Sequence, residues 1–260
     1  MNKDQILSVK NLSKNFGGLR AIDNLSFSVK KGEIFSIIGP NGAGKSTLFN
    51  LITGFIAPTE GEIIFEGEDI AGLKPYQVAR KKVGRTFQLT TLFFQNTVLE
   101  NLIIGQQVTR EAGYLQSMFG WKKRKEHYQQ AIKRAQELAE FVGLSNYCNT
   151  AAALLPHGAQ KQLSIGMVLA GDPDLILLDE PVGGMSMDEI DVVINLIKNI
   201  RKTNITVCLI EHKMSVVMNI SDRILALNYG VKMAEDIPEV VCRNEQVIKS
   251  YLGDKYVVAS

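Results

Sequence analysis

The chain has 260 residues, of which 45% are apolar and 22% are charged. A chain of this length and composition folds as a globular protein with a sizeable core, which excludes a mini-protein that depends on disulfides or metals. Lysine and arginine number 29 and the acidic residues 27, so the net charge of +2 argues against a nucleic-acid-binding protein.

Two features of the sequence concern the compartment of the protein. The longest uncharged run, residues 141–160, contains Asn146, Asn149 and Pro156 and is therefore too polar to cross a membrane. The N-terminus lacks the apolar core of a signal peptide, so we expect the chain to remain in the cytoplasm.

In the first part of the chain, short strands are predicted at 6–9, 25–29, 33–38 and 62–65. The third carries an unbroken apolar run (IFSII), which is typical of a strand buried on both faces. It ends at a glycine-rich turn, after which the sequence LFNLITG predicts a helix.

Helical periodicity dominates from Pro75 to about Ala170, and the amphipathic segment 121–142 predicts a long helix. In the C-terminal part, predicted strands alternate with predicted helices. The strands are 175–178, 205–210 and 224–227, and the helices are 188–200 and 213–220. Because this alternation is typical of a parallel sheet with crossover helices, we expect an α/β core with a helical lobe inserted into it.

The glycine-rich turn (GPNGAGKST) fits the phosphate-binding pattern G-x-x-x-x-G-K-[ST] and lies between a buried strand and a helix. Glycines let the backbone wrap around a phosphate, and the helix N-terminus favours negative charge. Lys45 is expected to reach the β- and γ-phosphates, and the Ser46 hydroxyl to bind Mg²⁺. A turn that merely begins a helix would not need this lysine and serine. The predicted cradle comprises Gly39, Pro40, Asn41, Gly42, Ala43, Gly44, Lys45, Ser46 and Thr47.

A second motif supplies carboxylates. The aliphatic strand at 175–178 is followed directly by Asp179 and Glu180, and ligands of open parallel sheets bind at the carboxyl ends of the strands. Asp179 is expected to hold Mg²⁺, and Glu180 to accept a proton from a water that attacks the γ-phosphate. The two motifs together predict a site for a nucleoside triphosphate with magnesium.

With these two motifs, the chain resembles the ATP-binding cassette (ABC) superfamily over nearly its whole length. The resemblance implies a P-loop NTPase (RecA-like) fold: an α/β, mostly parallel sheet core with an N-terminal antiparallel β subdomain and an inserted α-helical lobe. It further implies a nucleotide-binding core at 1–88 and 171–260 and a helical subdomain at 89–170 that carries the signature helix at its end. ATP and Mg²⁺ are the implied ligands.

Other site residues follow from the resemblance. Gln88, in RTFQ, is similar to the Q-loop glutamine that contacts Mg²⁺ and water and couples them to the transport partner. His212, in LIEH, is similar to the switch histidine that contacts the γ-phosphate. Phe16 is similar in position to the aromatic residue that stacks on adenine. The signature, which covers the nucleotide of the opposite subunit, corresponds to Pro156, His157 and Gly158.

The chain departs from the family pattern at the signature, which usually reads LSGGQ. Pro156 replaces the serine and Ala159 the glutamine, while the Gly158 amide and the helix N-terminus remain. The lost hydrogen bond to a charged oxygen costs about 1.5–3 kcal/mol unless His157 substitutes for it. Ser186 also stands where the family usually has aspartate or asparagine. We hypothesise that these changes weaken the site completed on the partner and leave the chain's own site competent.

Several phrases (RTFQ, TVLEN, EPVGGM, IEHKMSVVM and VIKSYLG) resemble the ATPase subunits of branched-chain amino acid importers, a branch that includes urea and amide importers. This implies a second cassette subunit, transmembrane permease subunits and, only indirectly, a periplasmic binding protein, with the chain at the inner face of the plasma membrane. A cassette that drives lipid or lipopolysaccharide movement is an alternative. A soluble P-loop regulator or a non-transport cassette ATPase would predict a guanine-reading element, long coiled-coil arms or tandem cassettes, which the sequence lacks.

Overall fold

The computed structural model describes residues 4–86, 92–107 and 121–252, with side chains at 121–125 and 252 outside the description. The strands are β1 (Gln5–Phe16), β2 (Leu19–Lys30), β3 (Ile34–Ile38), β4 (Glu60–Phe65), β5 (Glu68–Asp69), β6 (Val83–Arg85), β7 (Leu175–Asp179), β8 (Thr206–Ile210), β9 (Arg223–Asn228) and β10 (Val231–Asp236). The helices are α1 (Lys45–Ile52), α2 (Pro75–Arg80), α3 (Val98–Gly105), α4 (Trp121–Phe141), α5 (His157–Leu169), α6 (Met187–Lys202), α7 (Met214–Ile220), α8 (Pro238–Val241) and α9 (Glu245–Leu252).

The central sheet has the strand order β10-β9-β3-β8-β7-β6, and its pairs are parallel except for β9 with β10. Every residue of β3, β7 and β8 is buried. Alternate residues contact different cores: Ile176 and Leu178 face the helical side, whereas Leu175 and Leu177 face the side of α1. The continuous apolar runs in the sequence are thus explained by burial on both faces, and the predicted α/β class is confirmed.

A second sheet, with the order β2-β1-β4-β5, is antiparallel throughout. Its first two strands have 12 residues each and are much longer than the predicted segments 6–9 and 25–29. The register of β1 with β2 shifts repeatedly, and Asn11 and Asn24 have positive φ. These bulges interrupt the two-residue alternation by which a strand is recognised in sequence.

The helices α3, α4 and α5 pack together beside the central sheet. Their buried residues Leu102, Ala135 and Leu163 belong to one apolar cluster. The described helices of this lobe fall within the predicted subdomain 89–170, whose boundaries remain a prediction. In the part of the chain that the structure describes, no helix combines the length and apolar character needed to cross a membrane.

The topology brings three loops to one edge of the central sheet. Strand β8 lies between β3 and β7, and all three are parallel. In the register of these strands, Ile37 is opposite Ile210, which is opposite Asp179. The segments that follow, which begin at Gly39, Glu180 and Glu211, therefore emerge side by side at the carboxyl edge, where such sheets bind ligands.

Candidate nucleotide site

The loop between β3 and α1 has a backbone that only glycine fits at two positions. Gly39 and Gly44 have φ of 154° and 99°. A Cβ on Gly39 would lie 2.2 Å from the Leu227 carbonyl oxygen, and one on Gly44 2.7 Å from the Ala21 carbonyl oxygen. Both obstacles are backbone atoms, which cannot rotate away. The loop is therefore drawn tightly against both sheets, and the unpaired amides of the first turn of α1 follow directly after it.

Lys45 begins α1 and reaches back over the loop. Its Nζ donates to the carbonyl oxygens of Gly39 and Pro40, at 2.8 and 3.0 Å. Burial lowers the pKa of the Lys45 ammonium, and the charges of Glu180 and Asp179 oppose this shift. The loop thus holds a cation next to the two predicted carboxylates. Ser46, in the same first turn, is exposed, and Thr47 is half-buried.

Asp179 ends β7 and is 6% exposed. Its carboxylate Oδ2 lies 3.1 Å from Nη2 of Arg85, whose side chain is also buried, and its backbone amide donates to the Thr86 hydroxyl at 3.3 Å. An isolated buried carboxylate would be strongly unfavourable, but a hydrogen-bonded ion pair can keep it charged. A carboxylate oxygen beside a phosphate loop is a hard ligand of the kind that Mg²⁺ prefers.

Arg85 is a residue of the site that the sequence did not reveal. Its Nη1 donates to Asn50 Oδ1 at 2.7 Å and to Thr53 Oγ1 at 3.2 Å, and its guanidinium lies 5.4 Å from the centre of the Phe49 ring. Because Nη2 pairs with Asp179, one side chain joins β6, α1 and β7. In sequence Arg85 belongs only to the phrase RTFQ, and its acidic partner is 94 positions away.

Glu180 and His212 are brought together at the same edge. Glu180 Oε1 lies 3.8 Å from His212 Nδ1, and both side chains are partly exposed. Glu180 has a positive φ of 47°, and its amide donates to the Ile210 carbonyl at 3.0 Å. A non-glycine residue in this conformation is strained, and such strain is concentrated at functional sites.

The signature helix α5 begins at His157 with Pro156 as its N-cap residue. The Gly158 amide donates to Glu189 Oε1 of the same chain at 3.2 Å. Glu189 also accepts hydrogen bonds from the amide and the hydroxyl of Ser186, each at 3.0 Å, which completes a capping box at the start of α6. Ser186 is thus a good N-cap at the position where the family usually has aspartate or asparagine.

The signature helix and the catalytic candidates border a common open crevice of about 390 Å³. Its lining includes His157 and Lys161 from α5 together with Glu180 and His212.

Two further residues were predicted from the family resemblance. Phe16, at the end of β1, is 47% exposed, and Lys14 Nζ lies over its ring, 5.1 Å from the centre. Gln88 lies outside the described residues.

Comparisons with known proteins agree with this geometry. The family model described as ABC transporter matches residues 22–183. The chain is 40% identical over 250 residues to the high-affinity branched-chain amino acid transport ATP-binding protein BraF of Pseudomonas aeruginosa, covering 96% of this chain and 98% of that protein. It is 39% identical to LivG of Escherichia coli, which has the same description, with the same coverage.

Solved structures give the same result. A nucleotide-free ATP-binding cassette from an ABC transporter matches with a TM-score of 0.84 and 34% identity, over 96% of this chain and 100% of that chain. A dimeric cassette, MJ0796, in a post-hydrolysis state with ADP and Pi matches with a TM-score of 0.75 and 27% identity, over 89% and 98% of the two chains. The resemblance seen in the sequence is confirmed, and the chain belongs to the ABC transporter family as an ATP-binding cassette.

Proposed function

We propose that this chain is the ATP-hydrolysing subunit of a membrane importer for branched-chain amino acids. The observation that supports hydrolysis most directly is the convergence of Lys45, Asp179, Glu180 and His212 at one sheet edge, with Glu180 Oε1 3.8 Å from His212 Nδ1. The cargo class rests on the full-length likeness to BraF and LivG, both described as branched-chain amino acid transport ATP-binding proteins.

In this proposal the loop from Gly39 to Thr47 binds the triphosphate, and Phe16 stacks on adenine. Lys45 exchanges its two carbonyl partners for oxygens of the β- and γ-phosphates. Asp179, the Ser46 hydroxyl and Gln88 are the groups that hold Mg²⁺. When bound, Mg²⁺ neutralises phosphate charge and polarises the transferred phosphoryl group. The buried ion pair with Arg85 keeps Asp179 oriented.

Glu180 accepts the proton of the attacking water, and His212 donates a hydrogen bond to the γ-phosphate. Both groups lie at the open crevice, where a substrate can reach them. Catalysis of this kind depends on positioning and electrostatic stabilisation rather than on a covalent intermediate. The spacing of these two side chains is therefore a quantity that the fold has to control.

A second cassette completes the site in this proposal, because Pro156, His157 and Gly158 lie on α5 and cover the nucleotide of the partner. The relative MJ0796 is described as dimeric with ADP and Pi. The Gly158 amide is bonded to Glu189 in the isolated chain, so the phosphate of the partner site competes with a carboxylate for this donor. Together with the missing serine, this contact supports a weak site on the partner.

The membrane subunits have a candidate contact surface in an apolar groove of about 500 Å³. The groove runs between the core and the helical lobe, and its lining includes the exposed side chains of Phe55, Tyr76 and Phe93. An exposed apolar groove of this size is typical of a protein contact. We propose that a cytoplasmic helix of the permease binds here, next to Arg85, and holds the chain at the inner face of the plasma membrane.

The test is reconstitution of the chain with its genomic neighbours: permease subunits, any second cassette and a periplasmic binding protein. Leucine, isoleucine or valine with the binding protein should stimulate ATP hydrolysis in proteoliposomes, and Glu180→Gln should abolish the stimulated rate while nucleotide still binds. Stimulation by urea, short amides or lipids instead would contradict the proposed cargo. Absence of hydrolysis by the complete assembly would contradict the proposed activity.

A further inference from the structure

Glu211, which directly follows β8, is a fully buried carboxylic acid with a relative exposure of 0%. In the proposed hydrolysis it neither contacts the nucleotide nor binds Mg²⁺. A buried carboxylate is unfavourable unless hydrogen bonds compensate for its lost hydration. Its partners therefore indicate what the residue does.

Those partners belong to two different segments of the candidate site. Glu211 Oε1 accepts a hydrogen bond from the Val182 amide at 3.1 Å, and Oε2 accepts one from the His212 amide at 3.2 Å. The Lys213 amide also bonds to this carboxyl. Burial raises the pKa of Glu211, and the three amide hydrogen bonds oppose that shift. The carboxylate thus joins the turn after Glu180 to the loop that carries His212.

This junction directly adjoins the catalytic candidates along the chain. Val182 is two residues after Glu180, and His212 is itself a partner of the Glu211 carboxylate. The backbone adds a second link, from the Glu180 amide to the Ile210 carbonyl at 3.0 Å. Glu180 is held at a φ of 47°. The carboxylate link and the backbone link thus lie on either side of Glu180 and His212, whose side chains are 3.8 Å apart.

We propose that Glu211 is a positioning residue for ATP hydrolysis, whose carboxylate fixes the turn after Glu180 relative to the switch loop and so sets the spacing of Glu180 and His212. The inference rests on the proposed function. Glu211 acts through backbone amides and does not touch the nucleotide. A carboxylate is needed because two acceptor oxygens serve three amide donors, whereas a glutamine offers one oxygen and turns an NH₂ group towards an amide.

The experiment is a double-mutant cycle in the reconstituted transporter. Glu211→Gln is measured in the wild-type and His212→Ala backgrounds, with kcat, KM for ATP, nucleotide affinity and melting temperature recorded for each. In the wild-type background we expect kcat to fall about tenfold while KM and nucleotide affinity stay within about twofold. In the His212→Ala background the same substitution should lower kcat by less than about twofold, because the group it positions is already absent.

Glu33 offers a matched control. It directly precedes β3 and so lies at the edge of the central sheet opposite to Glu211. It is also buried, its carboxylate accepts the Lys30 amide at 2.6 Å and pairs with Arg223, and burial likewise raises its pKa. Glu33→Gln should lower the melting temperature without changing kcat per folded molecule. Glu211→Asp keeps the charge but shortens the reach to Val182, and it should show the same kcat loss if the glutamine variant does not fold.

Two outcomes would overturn the proposal. One is an equal kcat loss from Glu211→Gln in both backgrounds. The other is a lower melting temperature with unchanged kcat, the behaviour expected of Glu33→Gln, because a purely structural residue affects stability only. Absence of ATPase activity in the wild-type assembly is a different result, since it removes the proposed function itself and the inference with it.

Discussion

The phosphate loop and the signature region differ in how firmly the fold fixes them. At the loop, two glycines face backbone atoms that forbid any side chain, and Lys45 already reaches over the bend. At the signature, Pro156 and Ala159 depart from the family pattern, and the Gly158 amide is bonded within the chain. The comparison indicates that the fold constrains the phosphate loop more strictly than the signature region. Four variants test this difference.

The largest expected effect concerns the ion pair beneath the chain's own site. Arg85→Met leaves the buried Asp179 carboxylate without its guanidinium partner and should lower the free energy of unfolding by about 3–5 kcal/mol. Arg134→Met is the control, because Arg134 and Asp172 form an exposed pair whose loss should cost about 1 kcal/mol or less. Urea unfolding followed by circular dichroism measures both. Equal losses of unfolding free energy in the two variants would contradict the claim that the buried Arg85–Asp179 pair stabilises the fold more than an exposed pair does.

The next effect is on nucleotide affinity. Gly39→Ala places a Cβ against the Leu227 carbonyl oxygen, so the loop has to shift. ATP affinity should then fall by about tenfold or more, because a loss of about 1.4 kcal/mol in binding free energy is enough for a tenfold change. Gly17 also has a positive φ, of 56°, but open space around it. Gly17→Ala should therefore introduce only the modest strain of a left-handed backbone, without a steric clash, and keep its affinity. Titration with a fluorescent ATP analogue distinguishes the two, and a normal affinity in Gly39→Ala would contradict the tight-loop interpretation.

The signature can be strengthened. The double substitution Pro156→Ser with Ala159→Gln restores the usual residues and should raise the steady-state ATPase rate of the assembled transporter by about tenfold, if one charged hydrogen bond is regained. Leu154→Ser, at a neighbouring position that is 76% exposed, should leave the rate unchanged. An unchanged rate in the double variant would count against a weak partner site.

The smallest effect concerns the carboxylate that holds the Gly158 amide. Glu189→Gln makes this competitor neutral and should increase the apparent ATP affinity of the assembly about two- to threefold. Asp188→Asn removes a charge from the same turn of α6 and should not, because only Glu189 bonds to Gly158 among the described residues. Equal changes in both variants would point to general electrostatics instead.

The pH dependence of this contact has a defined sign. Hydrogen bonds from Ser186 and then from Gly158 lower the pKa of Glu189. The contact is therefore complete at neutral pH and is lost only in acid, as the pH falls through that lowered pKa. Affinities compared near neutral pH are unaffected by its titration.

Much of the fold was predictable because it depends on patterns of residues that are close together in the sequence. The apolar runs of β3, β7 and β8 identified buried strands, and the glycines, lysine and acids placed at their ends located the site. The full length of β1 was not predictable, since bulges break its alternation. Strand β10, whose residues are largely exposed or half-buried, carries no apolar run from which it could have been recognised.

The parts of the site that the sequence missed depend on distant partners. Arg85 meets Asp179 across 94 positions, and Glu211 meets Val182 across 29. A single sequence contains no signal for such pairings, because an arginine at the end of a short strand and a glutamate before a histidine are each common on a protein surface. It is the burial of these charged side chains that marks them as residues of the site, and their burial is visible only in the folded structure.

The grip of Lys45 on the carbonyls of Gly39 and Pro40 has a consequence for how substrate binds. Burial removes part of the water around this ammonium when the chain folds, so an arriving triphosphate has less of it to displace. In the proposed function, binding of the triphosphate exchanges the two neutral acceptors of this ammonium for charged phosphate oxygens. Part of the cost of dehydrating this lysine therefore belongs to folding rather than to substrate binding.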